Sequence, residues 1–407
     1  CPIDRFVVSD SCRGCLGHKC QENCPRHAIS IVNHRAYINQ EMCIECGRCK
    51  QVCPFGAISE VMRPCMRACS VNAVKMDENR KAMIDHDKCI SCGACVQQCP
   101  FGAIVDKSFV MNVLNLLRDS WNNTSYHVYA VVAPAVASQY TGIKVGQVFA
   151  GIKELGFYDV VEAAIAGDMV SVEEAKEFVE TIEEKKWKTT SCCPAFVEYV
   201  RKNHPEYMDH VSTVVSPMIA MARAIRAKDR KARIVFIGPC AAKKLEANRK
   251  SVRSDVDFVL TFEELAGIIE GKDLDIDLLE VDENEAALCS ASAAGRGFAQ
   301  SGGVANAVAN KIKEWHPDME VKIASAQGLA DCKKLLMLAK AGKYNGYLLE
   351  GMGCPGGCIG GAGTIADPAR TAIQLNKYMK EAPFTDPEQS PYMSEIHVLK
   401  DDPNFEL

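Results

Sequence analysis

The 407-residue chain lacks a long hydrophobic run, a strong charge bias and a visible signal peptide. No stretch of about 18 uninterrupted apolar residues occurs, so we expect no membrane-spanning helix. The formal net charge is −5, whereas proteins that bind nucleic acid carry a basic face, so neither nucleic acid nor an anionic membrane is an expected partner. No signal peptide is visible in the given sequence, which begins with Cys1 rather than Met. We therefore expect a cytoplasmic protein.

Cysteine, by contrast, is abundant and unevenly distributed. Fifteen of the 22 cysteines lie in the first 99 residues, and seven are spread over the remaining 308. This asymmetry predicts a cysteine-dense module joined to an ordinary globular domain. A secreted scaffold held by disulfides is the general alternative for a cysteine-rich segment of this size, but the spacings of the cysteines argue against it.

An internal repeat organises the cysteine-dense module. Three segments have the pattern Cys-Pro-x-x-Ala-Ile and begin at Cys24, Cys53 and Cys99. A fourth segment, which begins at Cys69, is a degraded copy without the proline. We interpret the module as four half-units of one design. The sequence therefore predicts an α+β, ferredoxin-like domain over residues 1–105.

Two half-units carry the complete cysteine spacing of bacterial ferredoxins, Cys-x2-Cys-x2-Cys-x3-Cys-Pro. Their cysteines are Cys43, Cys46, Cys49 and Cys53 in one copy, and Cys89, Cys92, Cys95 and Cys99 in the other. A tight loop places three thiolates around one cluster, and the fourth cysteine reaches the neighbouring cluster. Paired cysteines also bind zinc, but zinc does not require a third cysteine two residues further on and a final Cys-Pro. The spacing therefore indicates iron–sulfur clusters.

The other cysteines of the module leave the number of its 4Fe–4S clusters open at three or four. A looser version of the motif contains Cys12, Cys15, Cys20 and Cys24, and the cysteines left over are Cys1, Cys65 and Cys69. A fourth cluster would be one ligand short, unless a residue before Cys1 or a histidine such as His18 or His27 completes it. The linear spacing does not decide which cysteines share a cluster.

The rest of the chain has a different pattern. Residues 106–125 have apolar side chains at helical spacing and predict a connecting helix. Over residues 126–407, short β-rich runs alternate with amphipathic helices, which predicts an α/β domain with largely parallel sheets. Three short cysteine motifs stand at strand ends of this domain: Thr190-Ser191-Cys192-Cys193-Pro194, Gly238-Pro239-Cys240-Ala241-Ala242-Lys243, and Gly351-Met352-Gly353-Cys354-Pro355-Gly356-Gly357-Cys358. Cys289 and Cys332 lack such a context and are interpreted as packing residues.

In these three motifs the sequence resembles the [FeFe] hydrogenases, and the resemblance covers residues 126–380 and the ferredoxin-like module. It implies an H-cluster, in which a 4Fe–4S cube is joined through a cysteine sulfur to a di-iron unit with CO, cyanide and a bridging azadithiolate. The implied ligands of the cube are Cys193, Cys240, Cys354 and Cys358, with Cys358 as the bridging thiolate. Lys243 would donate to an iron-bound cyanide, and Met352 would pack beside the bridging carbonyl.

The resemblance also implies a proton relay, because hydrogen chemistry needs a proton at a buried metal. The implied path runs through Cys192, Glu174, Ser212 and Glu177. Thr181 stands where the family has an arginine at the surface end. From the residues alone, the two glutamates would be interpreted as part of a solvated helix face over residues 171–184. Glu246 either joins the path or pairs with a basic residue nearby.

Three residues depart from the commonest pattern of the family. Phe196 replaces a tryptophan, Gly238 replaces a methionine and Ala135 replaces a serine. With these departures the chain is similar to the branch called group B. Cys192 distinguishes it from the sensory branch, which often lacks that thiol.

The resemblance implies an anaerobic enzyme that interconverts protons and electrons with H2. Electrons would pass through the N-terminal clusters to or from a ferredoxin or another redox protein, because no flavin or nicotinamide fingerprint is evident. Dedicated maturation enzymes would supply the di-iron unit. Two alternatives stay open: a hydrogen sensor, and a non-catalytic iron–sulfur protein similar to the hydrogenase-like assembly factors of eukaryotes. Cys192 and the complete second motif, with Cys240, Lys243 and Glu246, argue against the latter.

Overall fold

The computed structural model describes residues 4–79, 81–281, 290–390 and 392–399. The predictions for Cys1 and Cys289 lie outside the described residues. Contacts divide the chain into two compact units. We call them the N-terminal unit, residues 1–87 and 98–105, and the α/β unit, residues 88–97 and 106–407.

This division differs from the predicted boundary at residue 105, because the segment 88–97 groups with the α/β unit. Gly93 has φ +78°, and a Cβ atom there would lie 2.3 Å from the Cβ of Ala362, so only glycine allows this close approach. The amine of Lys202 donates to the carbonyl of Cys89 at 2.8 Å. The predicted division into 1–105, 106–125 and 126–407 stays a prediction about folding domains.

The N-terminal unit consists of short antiparallel strand pairs and short helices. Its strands are β1 (Phe6–Val8), β2 (Ile29–Val32), β3 (Arg35–Ile38), β4 (Ile58–Glu60), β5 (Val74–Met76) and β6 (Ala82–Ile84). Its helices are α1 (Lys19–Glu22), α2 (Arg48–Val52) and α3 (Pro64–Ala68). Strand β1 pairs with β4, β2 with β3, and β5 with β6. A small core of Phe6, Ile29, Ala36, Ile38, Cys49 and Ile58 holds the first half of the unit together.

The four half-units share one local geometry at their last cysteine. In each, the amide of the alanine four residues on donates to the cysteine sulfur, at 3.3 Å for Cys24, 3.4 Å for Cys53, 3.1 Å for Cys69 and 3.3 Å for Cys99. The residue before each alanine has a positive φ, which glycine adopts freely and which asparagine and histidine adopt more often than other residues. The degraded copy at Cys69 therefore keeps the local structure of the other three.

The α/β unit contains seven strands and twelve α-helices among its described residues. The strands are β7 (Val128–Val132), β8 (Asp159–Glu162), β9 (Trp187–Thr189), β10 (Arg233–Gly238), β11 (Phe258–Thr261), β12 (Lys322–Gln327) and β13 (Tyr347–Met352). The helices are α4 (Ala94–Gln97), α5 (Val110–Asp119), α6 (Val145–Glu154), α7 (Ala163–Lys185), α8 (Pro194–Asn203), α9 (Pro217–Lys228), α10 (Ala241–Ala247), α11 (Phe262–Gly271), α12 (Ala293–Gly297), α13 (Gly303–Trp315), α14 (Leu329–Lys340) and α15 (Pro368–Lys380).

Two parallel sheets form the framework of the α/β unit. One has the strand order β11-β10-β7-β8 and the other the order β12-β13-β9. Their central strands are almost wholly apolar and buried, as expected for parallel strands that helices cover on both faces. The predicted fold class is confirmed: a ferredoxin-like α+β region is followed by an α/β domain with parallel sheets.

Two predicted helices differ from the observed ones in their bounds. The connecting helix predicted over 106–125 is α5, Val110–Asp119. It begins later than predicted because the carboxylate of Asp106 accepts a hydrogen bond from the Lys244 amine, with an N–O distance of 2.7 Å. It ends earlier than predicted because Trp121, Asn122 and Asn123 have a positive φ, which is incompatible with a right-handed helix. The helix predicted over 171–184 begins already at Ala163, because its first turns are buried on all sides and show no amphipathic pattern.

None of the helices in the described part of the chain combines the length and hydropathy needed to cross a bilayer.

Candidate active site

A cavity lies in the α/β unit where strands β7, β10 and β13 end. Parallel sheets gather their binding residues at such carboxyl ends, because the loops that follow the strands meet there. The cysteines that line the cavity are Cys92, Cys192, Cys193, Cys240, Cys354 and Cys358. Most other lining residues are apolar, among them Met218, Phe236, Phe298 and Met352.

Four of these cysteines are the predicted ligands, and each stands at the start of a turn or helix. Cys193 is the N-cap of α8, and Cys240 is the N-cap of α10. Cys354 follows β13, and Cys358 begins a short 3₁₀ helix. Backbone amides point towards sulfur at these places: the amide of Gly353 donates to Cys193 Sγ at 3.3 Å. The structure thus brings together four thiols from three loops distant in sequence.

Burial raises the pKa of all four thiols in the protein alone. The pKa of Cys240 rises to about 11, and the neighbouring cysteines raise those of Cys354 and Cys358 further. Buried thiols that raise one another's pKa ionise together when a cation binds among them. The four side chains are therefore a donor set for a metal group.

The spacing of the thiols favours a cluster over a single ion. In the described ranges, the only group of at least three ligating side chains whose ligand atoms lie within 4.8 Å of one another is Glu314, Asp386 and Glu388. Around one tetrahedral zinc ion the sulfurs would be closer, about 3.8 Å apart, because each Zn–S bond is about 2.3 Å. The cysteine sets therefore fit a larger iron–sulfur group better than zinc.

Glycine permits the turn that carries the last of these cysteines. Gly357 has φ +85°, and a Cβ atom there would lie 2.6 Å from the amide nitrogen of Ser301. A side chain at this position would collide with the backbone of Ser301 and so displace the turn that carries Cys358.

Lys243 and Met352 also line the cavity. The Lys243 amine donates to Glu246 Oε2 at 2.7 Å and lies 3.5 Å from the carbonyl oxygen of Cys192. Burial lowers the pKa of Lys243, but Glu246 and the nearby cysteines outweigh burial, and the net shift is upward. Lys243 is therefore a buried cation on the cavity wall. Glu246, left open in the sequence analysis, pairs with this lysine.

Cys192 and Glu174 form the inner part of the predicted relay. Burial raises the pKa of Cys192 well above its usual value, and the charge of Glu174 adds to the effect. Glu174 is 2% exposed, and its Oε1 accepts hydrogen bonds from the amide and hydroxyl of Ser191 at 3.0 and 3.2 Å. Burial raises the pKa of Glu174 to about 7. The thiol and the carboxyl group therefore both hold protons at or near neutral pH.

Ser212 and Glu177 form the outer part. The Ser212 hydroxyl donates to Glu177 Oε2 at 2.6 Å and also lies near Glu174, whose ionised form it favours. Glu177 Oε1 accepts from Thr213 and lies 2.7 Å from the amine of Lys188. Burial raises the pKa of Glu177, but Lys188 and the hydrogen bonds outweigh burial, and the net shift is downward. Ser212 thus joins the two glutamates through hydrogen bonds, and Cys192 lies near enough to Glu174 for the carboxylate charge to affect the thiol.

Lys188 is the residue that sequence analysis missed in this group. Its side chain is 5% exposed, in the short buried strand β9. Thr181, which occupies the place of the family's arginine, donates to the backbone carbonyl of Glu177. The sequence around Lys188 carries little signal for this role, because the residue follows two lysines and precedes two threonines in a polar stretch.

Two of the three departures from the family pattern lie at tightly packed glycines, and the third lines the cavity. Phe196 is 1% exposed and packs on Gly351, where a Cβ atom would lie 2.4 Å from the phenyl ring. A Cβ atom at Gly238 would lie 2.6 Å from the ring of Phe236. Ala135 is fully buried and lines the cavity.

Two further cavities in the N-terminal unit show which cysteines come together. One is lined by Cys12, Cys15, Cys20 and Cys53, and the other by Cys24, Cys43, Cys46 and Cys49. The last cysteine of each motif therefore joins the first three of the other, which the linear spacing left open.

The remaining predicted ligands lie elsewhere. Cys65 is buried in α3, and Cys69 follows that helix. Cys89, Cys92 and Cys95 belong to the α/β unit, and Cys99 belongs to the N-terminal unit.

Family models agree with both parts of the chain. The model of the iron-only hydrogenase large subunit, C-terminal domain, matches residues 126–362. The model of the 4Fe-4S binding domain matches residues 36–59 and 82–105.

The chain is similar to several curated proteins. It is 30% identical to the periplasmic [Fe] hydrogenase large subunit of Nitratidesulfovibrio vulgaris, over 86% of this chain and 92% of that protein. It is 27% identical to iron hydrogenase 1 of Clostridium pasteurianum, over 63% of this chain and 53% of that protein. It is also 26% identical to the human nuclear prelamin A recognition factor, over 60% of this chain and 65% of that protein.

Solved structures share the fold. A variant of the [FeFe]-hydrogenase HydA1 from Chlamydomonas reinhardtii superposes with a TM-score of 0.59 at 21% identity, over 72% of this chain and 94% of that one. A structure described as revealing stepwise assembly of the [FeFe]-hydrogenase H-cluster has a TM-score of 0.58, also at 21% identity, with the same coverage. The resemblance predicted from the three cysteine motifs is confirmed, and the chain belongs to the family of iron-only hydrogenase large subunits.

Proposed function

We propose that the protein is a hydrogenase that interconverts protons and electrons with H2. One observation carries the proposal: a single cavity is lined by four buried thiols, by the cationic Lys243 and by Cys192. Near Cys192, a hydrogen-bonded group of Glu174, Ser212 and Glu177 leads to a partly exposed carboxylate. A protein that only stores or transfers a cluster has no need for that proton path.

The donor set fits an H-cluster. Cys193, Cys240, Cys354 and Cys358 would hold its cube, with Cys358 as the thiolate shared with the di-iron unit. When bound, the group supplies the electrons and the open metal position at which H2 forms or is split. Lys243 would stabilise negative charge on that group, since Glu246 keeps the amine protonated. Met352 would limit the space beside it.

The relay residues divide the transfer of a proton into short steps. Cys192 stays a neutral thiol, because its raised pKa disfavours a buried thiolate, so it carries a proton into the dry cavity. Glu174, with a pKa of about 7, accepts and releases a proton with little cost near neutral pH. Ser212 links it to Glu177, whose lowered pKa keeps the outer carboxylate ionised, so a proton that arrives from solvent passes on to the more basic Glu174. Lys188 holds this outer carboxylate in place.

Electrons would travel through 4Fe–4S clusters held by the N-terminal unit and by the Cys89–Cys95 loop, three or four in number. A ferredoxin or another small redox protein would exchange electrons with them, and maturation enzymes would deliver the di-iron unit. The residues Phe196, Gly238 and Ala135, which depart from the commonest pattern of the family, support assignment to group B. A cytoplasmic location stays a prediction, and one relative is by name periplasmic.

Infrared spectroscopy of the matured protein tests the proposal. We expect absorption bands of metal-bound CO and cyanide, together with H2 uptake or release when a redox dye is supplied. A matured protein that contains iron and sulfide but shows no such bands would contradict the hydrogenase assignment. Bands with negligible turnover would favour a hydrogen sensor.

A second candidate function follows from the names of some relatives. The chain is 25% identical to a probable cytosolic Fe-S cluster assembly factor of Aedes aegypti, over 69% of this chain and 71% of that protein. If this chain had such a role, it would bind iron–sulfur clusters without CO and cyanide. The same infrared spectrum therefore separates the two functions.

A further inference from the structure

A second, smaller cavity of the α/β unit adjoins the relay. It shares Pro194 with the cysteine cavity but has several polar residues on its wall. The polar lining residues are Ser191, Ser216, Glu246, Arg249 and Ser251. The cavity therefore touches both the serine that bonds to Glu174 and the glutamate that pairs with Lys243.

Two buried polar atoms on this wall lack a protein partner. Within the described part of the chain, Ser216 Oγ and Arg249 Nε have no hydrogen-bond partner. Ser216 is 3% exposed and is the N-cap of α9, where a serine hydroxyl normally bonds to a backbone amide of the first turn. Here the hydroxyl makes no such bond. Because an unpaired buried polar group is costly, these atoms indicate a small polar ligand.

We propose that this cavity is a hydration site, and that its water carries protons to Glu174 by a second route that does not pass through Glu177. About 20 Å³ is open to the centre of a water molecule, whereas about 10–15 Å³ is enough for one. The water would accept hydrogen bonds from Arg249 Nε and Ser216 Oγ. It would donate one to the Glu246 carboxylate and one to Ser191 Oγ. That number of partners lies within the usual range for buried waters.

A proton moves from this water to Glu174 through the hydroxyl of Ser191. Ser191 Oγ lies 2.5 Å from the carbonyl oxygen of Val214 and 3.2 Å from Glu174 Oε1, so its one hydroxyl proton has two acceptors. Rotation of the hydroxyl from Val214 to Glu174 directs the proton along the route, because a hydroxyl both accepts and donates protons. At the outer end, Arg249 and Ser251 are partly exposed, so bulk water lies near the site. One proton arriving from solvent joins the water, the water passes one of its own to Ser191, and Ser191 passes its original proton to Glu174. Each O–H bond broken is replaced by one formed, and no electrons move.

This inference rests on the proposed function, and a double variant isolates the second route. Glu177→Gln interrupts the outer part of the first route, and we expect the variant to keep a measurable H2 turnover. Adding Ser216→Val removes the hydroxyl and fills the cavity with methyl groups, and we expect the remaining turnover to fall about tenfold or more. Adding Ser216→Thr instead keeps the hydroxyl and should preserve most of the remaining turnover.

Crystal structures supply a readout that does not depend on activity. The wild-type protein should show an ordered water within hydrogen-bond distance of Ser216 Oγ and Arg249 Nε, and Ser216→Val should lack it. A dry cavity in the wild-type protein overturns the inference, as does a double variant that turns over as fast as Glu177→Gln alone. Both experiments use protein preparations that show the CO and cyanide bands. If the proposed function is wrong, the wild-type protein lacks these bands, so this failure is distinguished from failure of the hydration site.

Discussion

The cysteines of the N-terminal unit and those of the α/β cavity hold their thiols in different environments. A hydrogen bond from the amide of Ala36 is the largest influence on Cys12 and lowers its pKa. The amide of Phe101 does the same for Cys99. In the cavity, burial is the largest influence and raises the pKa of Cys240 and Cys354.

The two sets of cysteines therefore differ in what favours ionisation of their thiols before metal binds. In the N-terminal unit, backbone amides stabilise the thiolate and so prepare the ligand. The amides of Phe101 and Ala103 lie within four residues of Cys99, whereas the amide of Ala36 is 24 residues from Cys12, in strand β3. Burial still raises the pKa of Cys20 and Cys49, so only some cysteines of this unit are stabilised as thiolates by the backbone. In the cavity the thiols meet only when the α/β unit is folded, and ionisation there requires the cation itself.

The largest difference between the two sets of cysteines should appear when one cysteine of each set is replaced. Cys358→Ser should abolish H2 turnover and the CO and cyanide bands, because the shared thiolate is lost. Cys46→Ser should keep the infrared bands and lose electron exchange with a protein donor more than with a small dye. A normal infrared spectrum for Cys358→Ser would exclude its bridging role.

Removal of the relay thiol should have the next largest effect. Cys192→Ala should leave the infrared bands intact and lower turnover by about a hundredfold to ten-thousandfold, as expected for loss of a positioned proton carrier. Cys332→Ala is the matched control: this thiol is fully buried in the same unit and bonds to the carbonyl of Met352 at 3.4 Å. Full activity of Cys192→Ala would remove Cys192 from the path.

Burial also makes a stability prediction for Glu174. Its pKa rises from 4.5 to about 7 on folding, so between these values the folded state holds a proton that the unfolded state has lost. Folding stability due to this group therefore falls as pH rises through that window. Glu174→Gln should remove this loss, and its stability relative to wild type should increase from pH 4.5 to pH 8 by at most about 3 kcal/mol. Denaturant unfolding at several pH values measures the difference; a constant difference would contradict the raised pKa.

The smallest effect is expected at the outer end of the relay. Lys188→Met should raise the pKa of Glu177, because the ion pair at 2.7 Å no longer favours the carboxylate. We expect turnover to fall about tenfold and the pH profile to move upward, while Lys188→Arg should restore both. Lys176→Met is the control, since Lys176 pairs with Glu173 on the same helix at 3.5 Å. An unchanged pH profile for Lys188→Met would exclude this role.

Much of the fold and site was predictable because metal ligands and parallel strands leave strong local patterns. The two complete ferredoxin motifs and the α/β class follow from residue spacing and strand–helix alternation. The family resemblance singled out Cys193, Cys240, Cys354 and Cys358, and the structure places all four on the wall of one cavity. The relay depended on the family resemblance, because Glu174 and Glu177 alone look like an exposed helix face. Lys188 was missed because its partner is eleven residues away on another element, and no local pattern joins them.

Residue spacing identifies the side chains that are able to bind iron and the place where the chain changes from cysteine-rich loops to parallel sheets. Cysteine spacing and strand periodicity are local properties, so they can be read along the chain. Two further juxtapositions depend on the folded structure: Cys53 joins Cys12, Cys15 and Cys20, and Lys188 rather than residue 181 faces Glu177. The folded structure also places unpaired polar atoms of Ser216 and Arg249 on one cavity wall. These juxtapositions depend on how buried elements pack, because burial sets both the contacts and the pKa values of the groups involved.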